Sequence, residues 1–372
     1  MEVKAAVLRE FGKPMTIETL QLDDPKEKEV LVKVVACGVC HSDVHVINGD
    51  WAALVPMPIV AGHEIAGVVQ KVGPGVTTLQ EGDHVICCWM VSCGTCFQCM
   101  LGNPTICETA AAAFLGGTML DGTLRRKDKE GNPVHQAFFC GGFSQYTVTP
   151  EASTVKIPKD VPLEDACLIG CCIPTGYGSV FNVAKMKPRS SVGVWGCGGV
   201  GLSTINAAKL AAASPIIAVD LEGSKEKIAL ELGATHFIDS SKEDPVPKVV
   251  ELTGGRGADY IFECIGDQGA QLQAYYAMRP GATFVLSGIV ALAAEMALPT
   301  FYMPFQQRTI VGTLYGGINP QFDIPRLVDL YLAGALRPDK MITRKIKLED
   351  VNEACDGLEK RQIVGRWVIM MD

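Results

Sequence analysis

Residues 190–220 read SSVGVWGCGGVGLSTINAAKLAAASPIIAVD, and this stretch decides the fold of the second half of the chain. The apolar runs SSVGVW and PIIAVD predict two buried strands, and LSTINAAKLAA between them predicts a helix. The glycines between the first strand and the helix form a G-x-G-x-x-G pattern. Glycine lets backbone approach a pyrophosphate closely, and a helix N-terminus offers N–H donors, so the pattern predicts a dinucleotide site. A glycine-rich turn that serves only helix packing is the alternative.

An acidic residue ends the second of these strands. Asp220 follows the glycines at roughly the 20-residue offset that the dinucleotide fingerprint requires. Its carboxylate can accept hydrogen bonds from both ribose hydroxyls and repels a 2′-phosphate, which favours NAD(H) over NADP(H). The predicted cofactor contacts of this unit are Gly196, Gly198, Gly199, Gly201 and Asp220.

The alternation of strands and helices continues beyond residue 220. The runs THFIDS, ADYIFECIG and GATFVLSG predict strands, and the segments between them predict helices. This order predicts βαβ crossovers and a doubly wound parallel sheet over residues 175–319. The turn-rich residues 1–174 contain short strand-like runs such as EVLVKVVACGV and predict a mostly β domain, which we expect residues 320–372 to rejoin. The predicted class is therefore α/β plus β.

Composition narrows the range of partners and compartments. The chain of 372 residues has a net charge of −8, so neither nucleic acid nor an anionic membrane is predicted as a partner. The N-terminus, MEVKAAVLREFGKPM, lacks the apolar core of a signal peptide, and no run is long enough for a membrane span. We therefore expect a cytoplasmic protein, in which the 15 cysteines stay reduced.

Four of the cysteines stand close together in the run CGTCFQCMLGNPTIC, residues 93–107. Their C-x2-C-x2-C-x7-C spacing, with glycine and proline turns, can direct four thiolates at one tetrahedral zinc ion. A redox disulfide is the alternative. Such a closed site leaves no position for substrate, so we predict a structural zinc, in a lobe of about residues 89–110, bound by Cys93, Cys96, Cys99 and Cys107.

Three other segments contain the residue types that zinc binds. They are GVCHSDVH at 38–45, GHE at 62–64, and IGCCIPTGYG at 169–178. Taken singly, each has an ordinary explanation, such as a buried cysteine, a capping serine or a surface histidine. Their spacing alone leaves open whether they share a metal.

Together these motifs identify the chain as similar to the zinc-dependent medium-chain alcohol dehydrogenases of the long, dimeric type. GVCHSD, GHEIAG, the four-cysteine run, GC-x3-TGYG, GCGGVG and Asp220 occur in that family's order and cover essentially the whole chain. The resemblance implies a GroES-like catalytic domain and a Rossmann NAD-binding domain. It also implies two zinc ions per chain, one structural and one catalytic.

The resemblance assigns roles by position. Cys40, His63 and Cys171 match the ligands of the catalytic zinc. Asp43 matches the partner of the histidine ligand, and Glu64 a carboxylate near the metal. Ser42 matches the hydroxyl that contacts the substrate oxygen, and His45 the outer end of a proton relay. Residues matching contacts to cofactor phosphate, ribose or nicotinamide are His41, Thr175, Val200, Lys225 and Arg366.

The implied activity is reversible oxidation of an alcohol to an aldehyde with hydride transfer to NAD+. Trp89 and the small Ser42 favour primary alcohols with aromatic or longer aliphatic groups. One alternative is dehydrogenation of S-hydroxymethyl thiol adducts of formaldehyde, although the segment TAAAAFLGG at 109–117 has no arginine to contact such a thiol. A non-enzymatic zinc-thiolate sensor or store is an alternative of another class. The resemblance also predicts a homodimer.

Overall fold

The computed structural model of the protein describes residues Met1–Asp372 and contains two compact units. Unit 1 comprises Met1–Cys171, Asn319–Ala333 and Ile342–Asp372, and unit 2 comprises Cys172–Ile318 and Gly334–Met341. No single helix is long and apolar enough to cross a membrane. Leu163–Gly170 and Cys172–Val183 together meet that criterion by length and composition only, as a bent pair.

The N-terminal part of unit 1 is built mainly from strands. These are β1 Glu2–Leu8, β2 Thr16–Leu22, β3 Glu29–Gly38, β4 Ile59–Val60, β5 Glu64–Val72, β6 His84–Cys87, β7 Arg126–Lys127, β8 Pro133–Gln136, β9 Tyr146–Pro150 and β10 Thr154–Ile157. Four helices interrupt them: α1 His41–Asn48, α2 Phe97–Met100, α3 Glu108–Gly116 and α4 Leu163–Ala166. The strand-like run EVLVKVVACGV, predicted at 29–39, is therefore confirmed as β3.

Unit 2 alternates helices with parallel strands. The strands are β11 Val192–Trp195, β12 Ile216–Asp220, β13 His236–Asp239, β14 Ala258–Glu263, β15 Met278–Leu286 and β16 Thr309–Gly312. The helices are α5 Cys172–Gly178, α6 Gly199–Leu210, α7 Glu226–Leu232, α8 Pro245–Leu252, α9 Gln268–Tyr276 and α10 Tyr302–Phe305. All strand pairs are parallel, in the order β13-β12-β11-β14-β15-β16. This is the doubly wound order of dinucleotide-binding folds, as predicted.

The last segment of the chain supplies the remaining elements: α11 Pro320–Leu332, α12 Pro338–Met341, β17 Ile342–Ile346, α13 Val351–Glu359 and β18 Arg366–Met370. Strand β18 pairs with β3 of unit 1, so the C-terminal strand completes a sheet begun more than 300 residues earlier. That sheet has the order β10-β6-β5-β3-β18-β17, with β9 also paired to β3. Strands β1, β2, β7, β8 and β4 form a closed barrel.

The sheet of unit 2 is covered on both faces, which explains its uninterrupted apolar strands. Every residue of β11 and β12 is buried, including the carboxylate-bearing Asp220 at the end of β12. The core around Trp195, Ile217, Ile261 and Phe284 is built from apolar and aromatic side chains. Burial of these runs stabilises the sheet at roughly 25 cal/mol per Å² of apolar surface.

Candidate metal centres and cofactor site

Three sequence-predicted metal ligands come together in unit 1. Cys40 caps the N-terminus of α1, His63 immediately precedes β5, and Cys171 lies between a short 3₁₀ turn and α5. Their ligand atoms lie within 4.8 Å of one another, and all three residues are buried. Ligands at about 2.3 Å from a tetrahedral zinc ion stand roughly 3.8 Å apart, so two thiols and one imidazole at this spacing fit zinc with one position left open. Cys172, the next residue, is outside this group.

Asp43 holds the histidine of this group in place. Its Oδ1 lies 3.1 Å from Nδ1 of His63 and accepts the backbone N–H of Gly62 at 2.9 Å. Its Oδ2 accepts the backbone N–H of Cys40 at 3.1 Å. Because Asp43 is fully buried and occupies Nδ1, it fixes the ring orientation and leaves Nε2 for a metal.

A buried ion pair lies beside the same group. Arg366, at the start of β18, donates to both carboxylate oxygens of Glu64, at 3.1 and 2.8 Å. Its Nη2 also lies 3.5 Å from Sγ of Cys40. A hydrogen bond from Cys171 and the positive charges of Arg366 and His63 hold the pKa of the Cys40 thiol well below its usual value, although burial opposes them. The structure therefore places Arg366 at the metal ligands.

The four cysteines of the 93–107 run form a second group. Sγ atoms of Cys93, Cys96, Cys99 and Cys107 lie within 4.8 Å of one another, and Sγ of Cys96 is 3.8 Å from that of Cys107. The Thr109 hydroxyl and the backbone N–H of Thr95 donate to Cys93 and lower its pKa to about 5. Four thiols at tetrahedral spacing, with N–H donors to sulfur, fit a structural zinc without an open position.

The glycine turn of unit 2 leads into α6 as the sequence predicts. Gly196 has φ +90°, and a side chain at Gly201 would collide with the Gly196 carbonyl, so both positions require glycine. Gly198 caps α6, and Val200 lies in its first turn. The backbone N–H groups at the N-terminus of a helix such as α6 are donors that suit a pyrophosphate.

Asp220 lies at this turn and is already held in place. Its Oδ2 accepts the backbone N–H of Cys197 at 2.6 Å, and its Oδ1 accepts that of Glu222 at 3.0 Å. The buried Lys225 lies 3.1 Å from both oxygens. The structure therefore brings together Asp220, Lys225 and the glycine turn. Thr175 is buried in α5 of the same unit.

Comparisons with known proteins decide the family. Residues 26–159 match the alcohol dehydrogenase GroES-like domain, and residues 199–333 match the zinc-binding dehydrogenase domain. The chain is 40% identical to the NDMA-dependent alcohol dehydrogenase of Amycolatopsis methanolica, over 100% of this chain and 99% of that protein. The chain belongs to the zinc-dependent medium-chain alcohol dehydrogenases.

Two further relatives show the range of this family. The dehydrogenase is 37% identical to the S-(hydroxymethyl)glutathione dehydrogenase of Paracoccus denitrificans, over 99% of this chain and 100% of that one. The crystal structure of benzyl alcohol dehydrogenase from Acinetobacter calcoaceticus matches with a TM-score of 0.91 and 34% identity, covering 100% of both chains. The protein is thus an NAD-dependent enzyme that binds zinc, which rules out a non-enzymatic zinc store.

An aromatic cluster lies beside His63 of the dehydrogenase. We use that name for Trp51, Trp89, Phe114 and Phe138. The ring of Phe138 contacts His63 edge-on at 5.4 Å and stacks on Phe114 at 5.1 Å. Trp51 and Trp89 each lie 6.4 Å from Phe138. The sequence analysis singles out Trp89 for the substrate preference. It misses the other three rings, because they come from separate segments with no shared spacing.

A buried arginine shapes the loop that carries Phe138. Phe138 has φ +56° and the following phenylalanine +57°, a left-handed conformation that non-glycine residues rarely adopt. Arg126 is fully buried in the dehydrogenase and donates to Gln136 Oε1 at 2.5 Å and to the Gly141 carbonyl at 3.1 Å, on either side of Phe138. Burial lowers the pKa of Arg126 to about 10. These bonds hold the loop in its strained form.

Helix α1 carries the predicted proton-transfer residues. Ser42 Oγ lies 3.9 Å from Sγ of Cys40, so this hydroxyl is next to the metal ligands. The ring of His45, one turn further along, contacts the ring of His41 edge-on at 5.1 Å. Ser42 and His45 therefore lie on the helix that begins at Cys40, one of the three predicted ligands of the catalytic zinc.

Proposed function

We propose that this alcohol dehydrogenase oxidises primary alcohols with aromatic or medium to long aliphatic groups to aldehydes. The observation that supports this substrate class is the aromatic cluster, whose Phe138 ring contacts the buried His63. An apolar substrate group that packs against these rings would gain affinity in proportion to its buried area, whereas ethanol offers little surface. The similarity to a benzyl alcohol dehydrogenase over the whole chain supports the same class.

We also propose roles for the residues of the metal centre. Cys40, His63 and Cys171 hold the catalytic zinc, and the four cysteines from Cys93 to Cys107 hold the structural zinc. Bound zinc supplies Lewis acidity toward the substrate oxygen, and bound NAD+ supplies the hydride acceptor. Asp43 keeps Nε2 of His63 directed at the metal. Arg366 pairs with Glu64, so that the positive charge of the guanidinium balances the negative carboxylate beside the two thiolates.

Proton movement falls to Ser42 and His45 in this proposal. The Ser42 hydroxyl, close to Cys40, accepts a hydrogen bond from the substrate hydroxyl, and as it takes up that proton it releases its own hydroxyl proton toward His45. His45 is the group on α1 that passes a proton to solvent, because its side chain is 14% exposed.

The cofactor NAD is bound in this proposal by Lys225, Asp220 and the glycines of the α6 turn. Val200 and Thr175 pack near its nicotinamide, and His41 contacts a phosphate. We propose residues 1–174 and 320–372 as the catalytic domain and 175–319 as the cofactor domain.

A substrate screen tests the proposed class. NAD+ reduction is measured with benzyl alcohol, hexanol, ethanol, a secondary alcohol and S-hydroxymethyl thiol adducts. We expect kcat/KM to be highest for benzyl alcohol or hexanol. Phe138→Ala should raise KM for benzyl alcohol about tenfold while changing that for ethanol little. Phe322→Ala, which removes an exposed ring on α11, is the matched control. A preference for ethanol or for the secondary alcohol contradicts the proposal.

Thiol adducts of formaldehyde are the second candidate substrate, supported by the relative from Paracoccus denitrificans. Helix α3, however, presents Phe114 to the aromatic cluster and has no arginine for a substrate carboxylate. Activity with S-hydroxymethyl thiols that exceeds activity with benzyl alcohol would establish this candidate instead.

We infer that the enzyme is a cytoplasmic homodimer. The 15 cysteines form no disulfide with one another, as expected in a reducing compartment. Strand β16 ends the sheet of unit 2 with one side unpaired, and the nearby Phe301 and Phe305 are 64% and 72% exposed. Exposed edges and aromatic patches favour pairing with another chain, and a second copy related by twofold symmetry would cover both. Cell fractionation tests the compartment.

A further inference from the structure

The imidazole of His45 is held by three neighbours. Nδ1 lies 2.5 Å from Oδ2 of Asp50, and the Trp51 ring lies 4.9 Å from the His45 ring at an interplanar angle of 30°. The third neighbour is His41, whose ring contacts it edge-on. Only 14% of the His45 side chain is exposed, and 34% of that of Asp50. The ring is therefore fixed in orientation by contacts that lie outside the metal centre.

The local backbone explains why Asp50 reaches His45. Helix α1 ends at Gly49, which adopts the left-handed conformation at φ 78° and turns the chain back. The backbone N–H of Asp50 then donates to the His45 carbonyl at 3.1 Å. This capping turn brings the carboxylate and the Trp51 ring against the helix residue five positions earlier.

An ionised carboxylate only accepts hydrogen bonds, so a neutral His45 bonded to Asp50 must carry its proton on Nδ1. Nε2 is then left with its lone pair and can accept a proton. We propose that Asp50 is a positioning residue that holds His45 in this tautomer and orientation, so that Nε2 receives the proton released in alcohol oxidation. The proposal rests on the role proposed above for His45.

The titratable groups facing His45 are few. Helix α1 contributes His41, and the turn that follows the helix contributes Asp50. Helix α13, which packs against α1, directs its Glu359 to Asn48 at 2.8 Å. Glu359 is therefore a matched control, since it is a carboxylate bonded to the same helix without touching the imidazole.

The variants Asp50→Ala, His45→Gln, their double mutant and Glu359→Ala are compared with the wild type as zinc-loaded full-length enzymes. Hydroxide and other external bases are scarce at low pH, so loss of an internal acceptor slows proton release most there. We expect Asp50→Ala to lower kcat for benzyl alcohol about tenfold at pH 6 and less than about twofold at pH 9. In the His45→Gln background it should have no further effect, because Asp50 acts through His45. Glu359→Ala should match the wild type.

A second readout does not depend on turnover. With ¹⁵N-labelled protein, the ring nitrogen shifts report which nitrogen of His45 carries the proton, and His45→Gln assigns its signals among the six histidines. We expect an Nδ1–H tautomer in the wild type and a mixture in Asp50→Ala, with unchanged NAD+ affinity and thermal unfolding.

Three outcomes overturn the proposal: a loss of kcat that is equal in both backgrounds, a loss independent of pH, or an unchanged tautomer in Asp50→Ala. If His45→Gln itself has no effect while alcohol oxidation persists, the role of His45 fails, and that of Asp50 with it. Absence of alcohol oxidation in the wild type would instead refute the proposed function, and the tautomer would still report whether Asp50 holds the ring.

Discussion

Two buried cysteines three residues apart illustrate how neighbours decide the chemistry of a thiol. Burial raises the pKa of Cys37 far above its usual value, and the nearby carboxylates of Asp43 and Glu64 raise it further. At Cys40 the hydrogen bond from Cys171 and the charge of Arg366 have the opposite effect. The same residue type is therefore a core residue at one position and, in the proposed function, a metal ligand at the other.

Replacing Cys40 tests this distinction. Cys40→Ala removes one of three ligands, so we expect zinc content to fall from two ions to one per chain and kcat to fall about a thousandfold or more. The fold should persist, as measured by circular dichroism. Cys37→Ala, the control, should keep both ions and lose only about 1 kcal/mol of unfolding free energy. Full turnover in Cys40→Ala would remove it from the catalytic site.

Asp220 should determine the choice of cofactor. Asp220→Gly removes the charge that repels a 2′-phosphate and leaves Lys225 without its carboxylate partner. We expect the ratio of kcat/KM for NAD+ to that for NADP+ to fall at least about tenfold. Steady-state kinetics with both cofactors measure it. An unchanged ratio would show that Asp220 does not discriminate.

At the scale of elements, the structural-zinc lobe has little besides metal to hold it. Helix α2 has four residues, none of them buried, and the core beneath the lobe consists of Val91, Cys107, Ala110 and Phe139. So small a core cannot offset the entropy of ordering the loop, and zinc binding must supply the difference.

Cys96→Ser should therefore lose one zinc and loosen the lobe. Because the lobe packs on Phe139, next to the strained loop of Phe138, we expect KM for benzyl alcohol to rise while the catalytic zinc remains bound. Metal analysis and limited proteolysis within residues 93–107 measure the two effects. Proteolysis at the wild-type rate would contradict a role in holding the lobe.

At the scale of the molecule, local patterns predicted the two kinds of domain, whose exact boundaries stay predictions. Nearly every predicted element of unit 2 formed where its apolar period indicated, because buried parallel strands are continuous apolar runs. The sequence predicted that residues 320–372 rejoin the first domain, but it did not predict that β18 pairs with β3. Register between strands so distant in sequence depends on the packing of everything between them.

The homodimer is the prediction that belongs to the whole molecule. Phe301 and Phe305 stack on each other at 4.9 Å near the open edge of β16. A double variant with Phe301→Glu and Phe305→Glu places a negative charge at both rings. We expect it to be monomeric when measured by sedimentation velocity. Phe322→Glu alters a phenylalanine that is 58% exposed on α11, and it should leave the dimer intact. Unchanged sedimentation of the double variant would place the interface elsewhere.

The sequence by itself indicated the four-cysteine site and the glycine turn with Asp220, because each is a local motif in which spacing encodes geometry. The order of all the motifs along the chain indicated the family. The tertiary structure alone decided what surrounds those motifs. It brought His63 to Cys40 and Cys171, paired Arg366 with Glu64 across 302 positions, and gathered four separate rings into the aromatic cluster. These contacts depend on where distant segments pack, and no local pattern records that.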